Sequence, residues 1–584
     1  VSEGSPARIT EYVFDSMDNL IRKSRISGGE VRSEIMTYDF FGNMLSKTTP
    51  GGSTTAYAYD IFGNPLKEIL PDGNINFYEY DFLGNILSVT NPLGEKKEYV
   101  FDSLGRNIKT VFPCDGASAV TKMYYDSRGN LTSVISPNGG KTENTYNARG
   151  FLVRERVYSS YDEYIQTDYT YNKEGSLTSS DVSGTGGNTH TLRTYSLDVY
   201  GRPIAETDSL GNSSFYEYDL FGNPVKLTDR EGRSISYVYD GAGRLLKKTS
   251  SDGFIEYTYD EFDNILSLSN EKETYFYEYN GFGEVVRAQR GKTKHTYAYT
   301  PDGLLKSHTV SDSGIPTAVY GFLYDKRGNP IKFSMPGDTE TVTYDSVGRV
   351  VKKQLSSTGA EKLYTYYPDG MLKKQTTRLA GNIVYSEFCR YDRCGNKILS
   401  DKNNAVRKYR YDLANRLKGV DNPDGSITEY EFDSRGNIKL EYCVTDRYTE
   451  KTSFFYDSEN RLLMKDGASA VTMQYDKNGN LIKRTDGIGQ AAAVSHFGYD
   501  AFGRLTSFSR DSANAKYTYN PEGMRSGKTV NEISTRYIYD NGDILSSVSD
   551  GSYTGYNRGT ELISVSQYGK EKLYYQTDSH GDVT

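Results

Sequence analysis

One motif dominates the chain: an aromatic residue, usually Tyr, followed by Asp, with Gly four positions after the aromatic and then Asn or Arg. Clear copies begin at Tyr38, Tyr59, Tyr80, Phe101, Tyr125, Tyr146, Tyr218, Tyr239, Tyr279, Tyr324, Tyr344, Tyr391, Phe432, Tyr475 and Tyr499. Degenerate copies at Phe14, Tyr171, Leu197, Tyr259, Tyr299, Tyr366, Tyr411, Tyr456, Tyr519 and Tyr539 fill the intervals. That makes about 25 copies, most of them about 20–21 residues apart, the signature of a repeat architecture built from one supersecondary unit. A chain written this way has no room for unrelated domains.

Each unit decodes as a hairpin. In Thr54-Thr55-Ala56-Tyr57-Ala58-Tyr59 the β-branched and aromatic residues recur with period two, so Tyr57 and Tyr59 share one face of a strand. Pairs such as Tyr78/Tyr80, Tyr216/Tyr218, Tyr257/Tyr259 and Tyr537/Tyr539 repeat the pattern. In Asp60-Ile61-Phe62-Gly63-Asn64 the Asp accepts hydrogen bonds from backbone just ahead of it, and Gly supplies a left-handed residue, which predicts a turn with a bulge. A second strand over Pro65 to Leu70 and a turn at Pro71-Asp72-Gly73-Asn74 complete the unit. The longer intervals Asn147 to Thr167 and Ser180 to Thr194 read as extended hairpins or loops, and the near-duplicates beginning at Asp115 and Asp466 read as duplication within one array.

Two strands per unit give on the order of 50 strands, whereas open twisted sheets rarely exceed ~10 without curling. At ~4.8 Å per strand the ribbon is roughly 240 Å long and must coil on itself. The expected fold is all-β: continuous antiparallel hairpins coiled into a spiral, single-layer sheet that forms a hollow shell or tube. Composition agrees. With 53 Tyr, 57 Gly and no Trp, the apolar fraction counted with Gly and without Tyr is roughly 37%, below the about 45–50% of ordinary globular chains. Disordered chains are also apolar-poor, but 13% aromatic residues and a net charge of -8 over 584 residues exclude that class. A thin wall facing water needs residues that stack sideways and keep a polar end, and Tyr does both.

Several functions are excluded or left without support. No apolar run approaches the ~18–20 residues of a membrane helix. Val1 to Thr10 carry no basic region followed by an apolar one, and the chain opens without Met, so the terminus gives no localisation. No block of Lys or Arg marks a nucleic-acid surface. Cys114, Cys389, Cys394 and Cys443 are too few for a disulfide scaffold, and Cys389 and Cys394 read as independent thiols rather than a pair.

Tyr499-Asp500-Ala501-Phe502-Gly503-Arg504-Leu505, and Tyr344 to Val350 with Val for Leu, resemble the RHS/YD-repeat family. The match recurs in phase along essentially the whole chain. Members include bacterial RHS polymorphic toxins, wall-associated proteins, shells of insecticidal toxin complexes and teneurins. The resemblance implies a spiral β-shell that, in the bacterial toxins, encloses a C-terminal toxic segment. Tyr574-Tyr575-Gln576-Thr577-Asp578-Ser579-His580-Gly581-Asp582-Val583 resembles the opening of the family's core segment, with Gln576 where His is usual and Asp582 where Ser is usual. The family's self-cleavage element, of Asp-Pro-x-Gly type, has no counterpart here, because the chain holds no Asp-Pro dipeptide. The expected organisation is a repeat array over residues 1–572 and a truncated core segment over 573–584, a fragment without cleavage site or effector.

Local catalytic motifs are absent. His190, His295, His308, His496 and His580 are scattered, with no HExxH and no His pair at ligand spacing. No Gly-x-Ser-x-Gly elbow occurs. Gly523 to Thr529 falls one residue short of a phosphate loop, and Gly140-Lys141-Thr142 and Gly291-Lys292-Thr293 sit where hairpin turns suffice. Asp476-Lys477-Asn478-Gly479-Asn480 lacks the Gly position and the bidentate Glu of a calcium loop and reads as a turn. No catalytic, cofactor or metal residue is therefore expected. The implied role is a non-enzymatic, secreted or cell-surface shell whose partner is its own C-terminal toxin segment, with immunity or delivery proteins beside it. The alternative is an extracellular adhesion or carbohydrate-binding protein that meets cell-surface glycans through its Tyr ridges.

Overall fold

The computed structural model describes residues 8–114, 117–187, 190–313, 315–487, 489, 492–567, 570–579 and 581–582. Val1 to Ala7, Asp115, Gly116, His580 and Val583, each part of a sequence reading above, lie outside that set. The described residues form 53 strands and no α-helix, and the strands pair antiparallel in chain order in a single unclosed sheet. The all-β hairpin array is as expected. The longer intervals are extended hairpins: Leu152–Tyr158 pairs with Tyr164–Tyr171, and Leu177–Gly184 with Thr191–Leu197.

The turn chemistry explains the motif residue by residue. Asp39 Oδ1 accepts from the backbone N–H of Phe41 and of Asn43, each at 2.9 Å, and Asp39 Oδ2 accepts from Asn43 Nδ2 at 2.9 Å. Gly42 sits at φ 84°, where an L side chain is strained. In the Arg version, Arg202 Nε donates to Asp198 Oδ2 at 2.7 Å, and the guanidinium lies over the Tyr218 ring of the next repeat. Asn and Arg alternate after the Gly because each delivers an N–H to the same carboxylate oxygen. Where Gly is missing, Asp263, Asn415 and Asn460 hold φ 66°, 62° and 60°, and these are the residue types that tolerate that region.

A bulge recurs at such turns. Thr37 pairs with Ser46 but Tyr38 with Met44, so Leu45 is the extra residue. The Met44 carbonyl beside it accepts the hydroxyl of Tyr59, the motif Tyr of the next repeat, at 2.8 Å. The same bond recurs at Tyr146 to Leu131, Tyr218 to Pro203, Tyr344 to Pro330 and Tyr519 to Leu505. At these positions the hydroxyl is a repeat-to-repeat lock.

The residues group into two compact units, each discontinuous in sequence: Val1–Ala119 with Tyr257–Phe388 and Tyr537–Thr584, and Val120–Glu256 with Cys389–Arg536. In the first, the turn edge of one stretch seats on the opposite edge of an earlier one. Arg32 forms two bonds to Glu284 at 2.7 and 3.0 Å, Gly51 N donates to Asp302 at 2.6 Å, and Arg327 pairs with Asp72 at 2.6 Å. In the second, Arg193 pairs with Glu459, Ser209 N donates to Glu459, and Asn478 Nδ2 donates to Asp229, at 2.7, 2.7 and 2.6 Å. Partners in these seams lie 243 to 267 residues apart, about twelve repeats.

Burial matches a thin sheet. Among the described residues 28 buried polar or charged residues exceed 22 buried apolar ones, so the interior is mainly a hydrogen-bonded one. One apolar cluster stands out, in the first unit, where Val310, Tyr320, Phe333, Met335 and Val342 pack with Ile538 and Ile563.

Candidate functional site

Two polar constellations in the first unit combine deep burial with chemistry. The first seats the C-terminal segment. Glu340, nearly solvent-free, accepts from the Thr560 backbone N–H at 3.0 Å and the Thr560 hydroxyl at 3.2 Å. Burial pushes the Glu340 carboxyl above its ordinary range. Burial alone would also raise Glu561, but Lys353 and Lys362 beside it hold it below that range. The Thr577 hydroxyl donates to Glu561 at 2.7 Å, and Gln375 Nε2 donates to the Thr577 carbonyl at 2.8 Å. Glu387, at 0% exposure, accepts from both the backbone N–H and the hydroxyl of Ser579 at 2.9 Å. The segment is itself a repeat-type turn: Asp582 N donates to Asp578 Oδ1, Gly581 N donates to the Asp578 carbonyl, and Gly581 has φ 86°. Its kinship with the upstream turns is hidden in the sequence because Thr577 stands where Tyr is usual.

The second constellation joins two of the five scattered histidines. Tyr297 pairs across strands with His308, and His308 with Tyr320, so the three rings stack as a ladder, with centroids 4.6 and 5.7 Å apart. His295, two residues before Tyr297 and on its face, meets His308 with Nδ1 to Nε2 at 3.0 Å. Both are buried, at 1% and 3% exposure. Asp540 arrives from 243 residues beyond Tyr297, accepting the Tyr297 hydroxyl at 2.7 Å and lying 3.4 Å from His308 Nδ1, with Arg290 3.5 Å away.

The hydrogen-bond network sets the tautomers. His308 holds its Nδ1 proton toward Asp540, so its Nε2 accepts from His295 Nδ1–H, and His295 Nε2 is left as a buried lone pair without a partner among the described residues. Burial, then the positive charge of Arg290, pushes His295 down to about 3. His308 is also lowered by burial, against the pull of Asp540. These three residues offer ligand atoms within 4.8 Å of one another, the reach of a metal site. Their arrangement does not suit one: the ring planes are 9° apart with centroids at 5.2 Å, so the imidazoles meet edge to edge and the facing nitrogens are taken up by their own hydrogen bond. Cross-strand register could have put the two rings on one face from sequence, but nothing local announces Asp540.

The remaining motifs fall where turns and strands account for them. Gly527, Lys528 and Thr529 lie inside the strand Arg525–Val530 rather than at a helix start. Asp476 turns its carboxylate onto Asn480, accepting its backbone and side-chain N–H groups at 2.8 Å. All four cysteines are free thiols. His190 pairs with Asp181 at 2.9 Å on an exposed edge. No helix among the described residues is long and apolar enough to cross a membrane.

Comparison with known proteins gives one consistent result. The family model described as the teneurin YD-shell matches residues 5–222, 222–379 and 369–581. A tRNA3(Ser)-specific nuclease, WapA, of Bacillus spizizenii is 32% identical over 184 residues, 30% of this chain and 7% of WapA. Toxin protein Tse5 of Pseudomonas aeruginosa is 26% identical over 222 residues, 32% of this chain and 16% of Tse5. Among solved structures, TcdB2-TccC3-Cdc42 superposes with a TM-score of 0.58 at 12% identity, covering 99% of this chain and 43% of that one. That likeness is one of fold. The chain spans less than half the length of each of these proteins.

Proposed function

The chain belongs to the YD-repeat shell family, and from that premise we propose that it is the wall of an RHS-type toxin, enclosing and helping to deliver a C-terminal effector. The observation that carries the proposal is the lattice itself. Most turns are closed by their own Asp or Asn and many repeats are locked to the one before by a Tyr hydroxyl, so the sheet supports itself without a thick core. A wall so built leaves its faces free for contents and surroundings, and its role is structural rather than catalytic. The nuclease-named relative from Bacillus spizizenii shares 184 residues, 7% of its own length, with this chain, so its name does not carry over to the shell. Secretion or display at the cell surface follows from the same role, with the effector, its immunity protein and delivery proteins as partners. Adhesion through Tyr ridges is not favoured, because motif hydroxyls are engaged inside the sheet.

The test is to express the chain with the sequence that follows it in its gene and to challenge the product with protease. The expected result is a following segment that resists digestion while the sheet is folded and is destroyed at a denaturant concentration that melts the sheet. A following segment digested as fast as when made alone would overturn the proposal.

A further inference from the structure

Two chemical kinds of turn tip stand out in the first unit. Where a tip seats on an earlier edge it is polar or capped by a cation: Asp302 accepts from Gly51 N, Arg327 pairs with Asp72, and the Phe282 ring carries the Arg32 guanidinium at 3.9 Å. At three consecutive earlier turns the same positions hold Phe40 and Phe41, Ile61 and Phe62, and Phe82 and Leu83, all between 60 and 92% exposed. These turns are neighbours: a Cβ at Gly63 would lie 3.1 Å from Asn43 Oδ1, and one at Gly84 3.6 Å from Asn64 Oδ1. Six large side chains of ~150–250 Å² each amount to on the order of 800 Å² of apolar surface, above the about 300–600 Å² of the largest patch on a typical monomer.

We propose that this comb of apolar tips is a homodimer interface, closed by the same comb of a second copy of this chain about a two-fold axis. Two such patches bury about 1,600 Å², the standard size of a stable protein interface. Successive tips are two strands apart, ~10 Å, which leaves gaps the width of a ring for the tips of the facing comb. A self-complementary surface of this kind closes on itself as a dimer and does not propagate. An anionic membrane is the poorer occupant. Asp39, Asp60 and Asp81 stand at the base of the three tips, and the turns Asp39–Asn43, Asp60–Asn64 and Asp81–Asn85 contain no Lys or Arg to meet lipid phosphates.

Sedimentation velocity on the full chain over a hundred-fold dilution series tests the proposal, alongside Phe41→Glu/Phe62→Glu and the milder Phe41→Ser/Phe62→Ser. The expected result is a dimer for the wild-type chain and a monomer, with unchanged far-ultraviolet circular dichroism, for at least the Ser variant. A monomeric wild-type chain throughout the series, or a Ser variant that dimerises as tightly as wild type, would overturn it. So would a wild-type monomer that co-sediments with phosphatidylcholine vesicles, which would hand the same patch to lipid. If the Glu variant misfolds, the Ser variant alone decides.

Discussion

At the scale of single residues, the motif works because three groups satisfy one another in a small space. Asp500, itself buried, accepts from Phe502 N, Arg504 N and Arg504 Nε at 3.0, 2.9 and 2.7 Å. Asp500→Ala leaves all three donors without that acceptor, and the expected cost is about 2–3 kcal/mol of local stability. Hydrogen exchange across Asp500–Arg504 measures it, and Asp500→Asn, which keeps an acceptor oxygen, should lose less. Tyr59→Phe removes only the hydroxyl held by Met44, with about 1 kcal/mol expected at the turn Asp39–Met44, whereas Tyr161→Phe at a fully exposed position should change nothing measurable. Titration gives a third expectation. His295 binds its proton at about 3 when folded, against 6.5 for an ordinary histidine, so between those limits the unfolded chain holds more protons. The stability from the neutral pair is complete above pH 6.5 and is lost as pH falls toward 3, by roughly 3 kcal/mol at pH 4.5. The raised Glu340 works with the opposite sign, since acid relieves its buried charge. Thermal midpoints between pH 7.5 and 4.5 should therefore fall less for His295→Phe than for wild type, and more for Glu340→Gln than for wild type.

At the scale of the hairpin, period and punctuation made most of the structure legible in the sequence. The alternation in Thr54–Tyr59 fixed the face of Tyr57 and Tyr59, and Asp60 with Gly63 fixed the turn and its bulge. The hydroxyl lock was not legible, because it joins residues such as Tyr59 and Met44 through a carbonyl that the bulge sets beside the ladder, and no composition rule marks a carbonyl. The seams were hidden for a different reason: a partner some 250 residues away leaves no local trace. Some glycines outside the turns mark seams all the same. A Cβ at Gly184 would stand 1.7 Å from the Ser434 carbonyl oxygen in the second unit, although its φ is ordinary. Gly184→Ala must push that edge away. Limited proteolysis should show faster cutting near Ser434, while Gly241→Ala, with nothing within 4 Å of the added Cβ, should be indistinguishable from wild type.

At the scale of the whole molecule, repeats touch their sequence neighbours and, where a seam forms, a repeat about nine to twelve units away. Stability in such a chain is close to a sum of nearest-neighbour terms, so damage should travel along those two directions and not uniformly. Glu459 provides the sharpest case. Its nearly buried carboxylate holds Arg193 and Ser209 N at 2.7 Å, 266 and 250 residues earlier, and within the same unit. Removing it leaves the Arg193 guanidinium with Glu206 alone and the Ser209 N–H without its acceptor, a loss of about 1–3 kcal/mol confined to that seam. Hydrogen exchange in Glu459→Ala should therefore quicken at the turn Asp457–Arg461, at Thr191–Arg193 and at Asp208–Gly211. The strand Lys141–Tyr146, in the same unit but outside both directions, should keep its wild-type rate. Quickened exchange spread evenly over the unit would mean that the wall melts as one body, and that the repeat-by-repeat energetics drawn from the turn and tyrosine locks are wrong.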